Sequence, residues 1–181
     1  MNQHIFHGLL ALLLSTLLFL KASAQPKKVQ LSDRVSVEFP GQFQRLQIQS
    51  ITVYQLKDST GTYRATVSDL ESAGISAQEL KDEMSKTEFW DDYIEVLMSK
   101  LEGELKCTHK KLKPVNGTEV MELIFEGLAE EEAPDEKSNI AVAAFFEGTV
   151  LIEVMFMNDG AATDRIAKQK FLDSLQIKQN P

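Results

Sequence analysis

Cys107, Thr108 and His109 form the one run in which a nucleophile and a base stand two residues apart. On an extended strand, side chains two positions apart share a face, so the thiol and the imidazole would be neighbours. Lys106, Lys110 and Lys111 surround them, and cations beside a cysteine lower its pKa and raise the thiolate fraction. The pair therefore carries a reading as a thiol-dependent enzyme or redox protein. The competing reading is a lone cysteine packed at a strand end beside a solvated basic patch. A second cluster, Glu130-Glu131-Glu132 with Asp135 and Glu136, gathers the oxygen ligands that calcium takes. Its spacing does not match an EF-hand loop, and a solvated acidic loop is the plainer reading. Asn116-Gly117-Thr118 matches a glycosylation sequon, although Asn-Gly between two strands is also turn chemistry.

The remaining chemistries are excluded by what the chain lacks. His4 and His7 lie near the amino terminus, so His109 is the only histidine in the rest of the chain. A zinc site wants three or four His, Cys or carboxylate ligands, and no spacing here supplies them. No two glycines stand close enough for a phosphate-cradling loop. No G-x-S-x-G elbow presents a serine to His109. No catalytic, cofactor-binding or metal-ligating residue is assigned, and no cofactor is expected.

The elements that must position Cys107 and His109 read as an α+β fold. Arg34–Phe39 alternates and stops at Pro40-Gly41, a half-buried strand before a turn. Gln44–Leu56 is rich in β-branched and apolar residues, but its parity changes between Ile48 and Ile51, as at a bulge or a break between two strands. Asp58-Ser59-Thr60-Gly61 turns the chain into Thr62–Val67. Ser76-Ala77-Gln78-Glu79 is a capping box with Ile75 and Leu80 at the staple positions. Ser85-Lys86-Thr87-Glu88 repeats it, which predicts two helices meeting near residue 85. In the second, Trp90, Ile94, Leu97, Met98, Leu101 and Leu105 form a core-facing stripe. Lys106–Val115 and Thr118–Phe125 flank Asn116-Gly117 as a hairpin. Ile140–Phe146 and Thr149–Met157 are nearly continuous apolar runs, which suit the sheet centre. A helix near Ala161–Leu175, with Ile166, Ala167, Phe171 and Leu175 on its apolar face, closes the chain. The order predicts a largely antiparallel sheet of six to seven strands flanked by helices.

Leu9–Leu20 is almost wholly apolar and about a dozen residues long, shorter than the roughly 20 residues a membrane span needs. Ala22-Ser23-Ala24 follows, the small-x-small pattern of a signal-peptidase site. Residues 1–24 therefore read as a cleavable signal, with Gln25 as the mature amino terminus. They read so even though Met1–His7 carries no Lys or Arg. No cysteine follows the apolar run to carry a lipid, and the product is expected in the periplasm or outside the cell. Residues 25–181 are the size of one domain, large enough to need no disulfide or metal. Cleavage removes Lys21 and no acid, taking the formal charge from −8 to −9. So acidic a chain does not suit nucleic acid or anionic lipid, both of which are held by cationic side chains.

"VSVEFPG" at residues 35–41, the helical insert, the four-strand return and "KQKFLDSLQI" at residues 168–177 resemble the PsbP/Mog-type α/β/α sandwich. That group includes the PsbP protein of photosystem II, the Ran-binding Mog protein and many exported bacterial proteins. The resemblance spans about residues 30–178 and rests on pattern, with no site motif to carry over. It implies a non-catalytic role, because the group's characterised members are mainly binding or assembly factors. The leading expectation is an exported binding or assembly protein, not an enzyme, acting through its sheet or its acidic helices. The alternative is the thiol chemistry of Cys107 with His109. A third reading, an oligomeric envelope component, requires an exposed apolar patch.

Overall fold

The computed structural model describes residues 25–101, 105–127, 139–158 and 164–179. The signal at 1–24, the carboxylates at 130–136 and the expected helix start at Ala161 lie outside them. The elements run β1 (Lys27–Gln30), β2 (Val35–Phe39), β3 (Gln44–Ile48), β4 (Ile51–Asp58), β5 (Gly61–Asp69), α1 (Ala77–Met84) and α2 (Phe89–Lys100). There follow β6 (Leu105–Val115), β7 (Thr118–Gly127), β8 (Asn139–Glu147), β9 (Val150–Asn158), α3 (Asp164–Asp173) and β10 (Gln176–Ile177).

Hairpins build the main sheet. Its seven strands run in the order β3-β4-β5-β9-β8-β7-β6, and each neighbouring pair is antiparallel. The parity change after Ile48 is a tight turn: Ile48 faces Ile51, and Gln49 takes a left-handed φ of 52°. Asn116 and Gly117, at φ 49° and 82°, form the two-residue turn that a right-twisted hairpin prefers. The apolar strands β8 and β9 lie inside the sheet, as their continuous hydrophobicity requires.

Strand β2 is an exception to its sequence reading. It leaves the main sheet for a small one, ordered β1-β2-β10. Ser36 is buried along with Val35, Val37 and Phe39, so β2 is covered on both sides. The carboxyl terminus holds it there. Arg34 donates from Nη2 to the Lys178 carbonyl at 2.7 Å, and the Glu38 amide donates to Ser174 Oγ at 2.9 Å.

Two cores sandwich the main sheet. On one face, β2 and α3 meet Tyr63, Val154 and Phe156. The Phe171 ring lies 5.2 Å from Phe39 and 5.1 Å from Tyr63, both edge-on, and burial of each ring contributes about 1.5–3 kcal/mol. On the other face, Ile94 and Leu97 of α2 pack on Met121, Leu123, Phe125, Val142 and Met155. Trp90, Met98 and Leu101 are partly buried along the same stripe, whereas Leu105, expected at its end, opens β6 and reaches this core from the sheet.

The first capping box forms: Ser76 Oγ accepts from the Glu79 amide at 3.2 Å, and the Ser76 amide donates to Glu79 Oε2 at 2.9 Å. The second does not. Ser85 is the carboxyl-terminal cap of α1 and its hydroxyl donates to the Asp82 carbonyl, leaving α2 to start at Phe89 behind Glu88, whose side chain makes no capping hydrogen bond. Ile166 also departs from expectation. It is 69% exposed because Ala167 and Phe171, one helical turn apart, take the inward stripe of α3.

Candidate functional site

The pair that sequence alternation placed on one face is split across the sheet. Cys107 faces Phe125 and His109 faces Ile124, so Thr108 is an extra, unmatched residue. Such a bulge reverses the facing of every later side chain on the strand. Cys107 packs half-buried on the α2 side with Leu105 and Met157. Its Sγ–H donates to the His109 backbone carbonyl at 3.4 Å, not to the imidazole. Burial pushes the thiol pKa up, against smaller lowering effects of the His109 backbone and Lys110. The basic neighbours do not offset the burial, and the Asp91 carboxylate that pairs with Lys110 at 2.6 Å adds a further raising effect.

On the α3 side, His109 instead joins the rim of a cleft of about 490 Å³ between α3 and strands β6–β8. Its floor exists because β8 places two small residues, Ala141 and Ala143, where larger ones would fill the space. Ile124, Leu172 and Leu175 add apolar wall, and Lys113, Glu122, Lys168 and Asp173 bring charge to the margin. Lys113 pairs with Glu122, which leaves the β6 wall near neutrality. Two ties hold the walls apart. Asn116 Nδ2 donates to the Ile177 carbonyl at 2.7 Å, fastening the β6–β7 turn to β10. Lys168 Nζ donates to Asn139 Oδ1 at 3.1 Å, fastening α3 to β8. Sequence reasoning did not find this cleft. Its only local signal is the three alanines of β8, of which Ala141 and Ala143 face the cleft and Ala144 the opposite core, and the walls come from three distant segments.

A second buried polar contact lies on the opposite face. Tyr93 Oη donates to Glu153 Oε1 at 2.6 Å, joining α2 to β9. Burial first, then the adjoining Glu153 charge, holds the Tyr93 hydroxyl protonated far above the ordinary tyrosine range. Among the described residues no group of three metal-ligating side chains converges, and no helix is long and apolar enough to cross a membrane. The cleft offers shape, apolar surface and a mixed-charge rim, which suit reversible binding.

No protein-family model matches the chain, and no curated protein matches its sequence. Solved structures do resemble it. Cyanobacterial PsbP (CyanoP) from Synechocystis is 13% identical, with a TM-score of 0.48 over 85% of this chain and 93% of that one. A protein of unknown function from Pseudomonas aeruginosa is 13% identical, with a TM-score of 0.39 over 80% and 88%. A Bacteroides thetaiotaomicron protein is 10% identical, with a TM-score of 0.41 over 87% of this chain and half of that chain.

Proposed function

We propose that this chain is an exported, non-enzymatic binding protein that holds its ligand in the cleft between α3 and β6–β8. The observation that carries the reading is the Ala141/Ala143 floor under a charged rim, with both ends pinned by hydrogen bonds. A concave, largely preformed site with few polar groups is what small-ligand recognition requires. The thiol alternative loses its support, since Cys107 and His109 lie on opposite faces. Export is supported by the apolar run and the Ala22-Ser23-Ala24 site.

Anilinonaphthalene sulfonate, an apolar ring system with one anionic group, tests the cleft. It is expected to bind at one saturable site. Ala143→Leu fills the floor and Lys168→Glu reverses the rim charge, and each is expected to weaken binding at least about tenfold. Lys168→Glu lies at the margin, so its unfolding curve controls for loss of structure. Binding that is unchanged in both variants overturns the site. Fractionation of cells expressing the full chain tests export, with a product beginning at Gln25 as the expected result.

A further inference from the structure

The two edges of the main sheet are treated oppositely by the sequence. Strand β6 carries Lys106, Lys110, Lys111, Lys113 and Pro114 along its length, the devices that keep an open edge from pairing. Strand β3, at the other edge, is exposed at every position and reads Gln-Arg-Leu-Gln-Ile, with no lysine and no proline. Leu46 is 54% and Ile48 63% exposed, and Ile51 of β4 is 38% exposed. The register Leu46↔Val53 and Ile48↔Ile51 puts all four apolar side chains on one face of the hairpin.

Charge sets this hairpin apart from the rest of the molecule. The chain has 27 acidic residues, yet none falls between Glu38 and Asp58. That gap spans all of β3 and β4 short of its last residue. Most surfaces of so acidic a chain repel a second copy, and this strip does not. Its nearest cation, Arg45, has its guanidinium carbon 5.8 Å from the Tyr54 ring centroid, folded back over its own hairpin.

We infer that β3 pairs antiparallel with β3 of a second copy, with Leu46 on the two-fold axis. Such an interface is isologous and closes at two subunits. Centred on Leu46, the register sets Arg45 opposite Gln47 and Gln44 opposite Ile48, so no like charges meet. Leu46 faces its own counterpart, and Ile48, Ile51 and Val53 of each copy extend the apolar stripe beside it. The two sheets become one of fourteen strands, twice the seven of one chain. Pairing of β3 with β6 is disfavoured, because β6 is lysine-lined, and so an open filament does not form. The seam lies at the end of the sheet away from the cleft, and its failure leaves the cleft reading intact.

Sedimentation of the purified protein over a wide concentration range is expected to show a reversible shift from one chain mass to two. Leu46→Lys places two ammonium groups opposite each other and is expected to weaken the dimer at least about tenfold. Because β3 is exposed throughout, the variant keeps its fold, which its circular dichroism checks. In a Cys107→Ser background, Leu46→Cys should form a covalent dimer on oxidation, since facing residues of an antiparallel pair lie within disulfide reach. Gln44→Cys, which faces Ile48, should not. A protein that stays one chain in mass at every concentration overturns the inference. So does a dimer indifferent to Leu46→Lys, or one crosslinked equally by both cysteines.

Discussion

Removing one oxygen atom, by Tyr93→Phe, tests how α2 is fastened to the sheet. The hydroxyl donates to Glu153 at 2.6 Å from a largely enclosed position, and a hydrogen bond to a charged acceptor contributes about 1.5–3 kcal/mol. Urea unfolding near neutral pH should show a loss of that size. The alkaline limb gives an independent reading. The folded-state pKa of Tyr93 is raised above its unfolded value of 10.0. Its contribution is therefore fully present below pH 10 and is lost as pH rises toward the folded value. Linkage for one such group gives about 1.4 kcal/mol lost at one pH unit above the unfolded pKa. Phenylalanine cannot ionise, so the variant should lose about that much less than wild type between pH 9 and pH 11. Subtracting the two curves cancels every other titrating group. Parallel alkaline curves together with unchanged neutral stability would refute the role given to this contact.

The Cys107 thiol, its pKa raised by burial, should show no thiolate near neutral pH; alkylation of the folded protein that titrates below the ordinary thiol range contradicts the packing described. Gly61 sits at φ 150°, and a Cβ there would lie 2.5 Å from the Met157 carbonyl oxygen and 2.9 Å from the Phe156 ring. Gly61→Ala is therefore expected to cost more than about 2 kcal/mol in urea unfolding. Gly148→Ala, left-handed but with open space around it, should cost about 1–2 kcal/mol, and equal costs would contradict the close approach.

Local chemistry was legible wherever neighbours in sequence are neighbours in space. Ser76 and Glu79, Asn116-Gly117 and the apolar stripe of α2 all act within a few residues, and each is where its pattern predicts, except that Leu105, read as the end of the stripe, opens β6. The parity change between Ile48 and Ile51 marked the β3–β4 turn. The same kind of signal is present in β6: Cys107 and Leu112, opposite Phe125 and Met121 on the α2 side of the sheet, are an odd number of positions apart. Only an inserted residue reconciles them, and Thr108 is that residue. Strands β1 and β10 were not legible, because four polar-rich residues and two residues carry no periodicity of their own. They exist through β2, which pairs with both ends of the described chain. Ser85-x-x-Glu88 shows the converse, a correct motif outcompeted when its serine is taken by the preceding helix end.

The bulge and the cleft have one physical origin in the pairing of β6 with β7. Without Thr108, residues at the start of β6 would keep their present faces while those from His109 onward would exchange them. Leu112 would then turn toward α3, and Lys113, which pairs with Glu122 at the cleft margin, would turn toward α2. The apolar floor made by Ala141 and Ala143 would lose its polar margin on that side. One inserted residue thus separates a thiol from an imidazole and supplies a cleft with its charged wall. The functional weight of this segment accordingly moves from Cys107, which packs against the core, to the side chains from His109 to Lys113 that face α3.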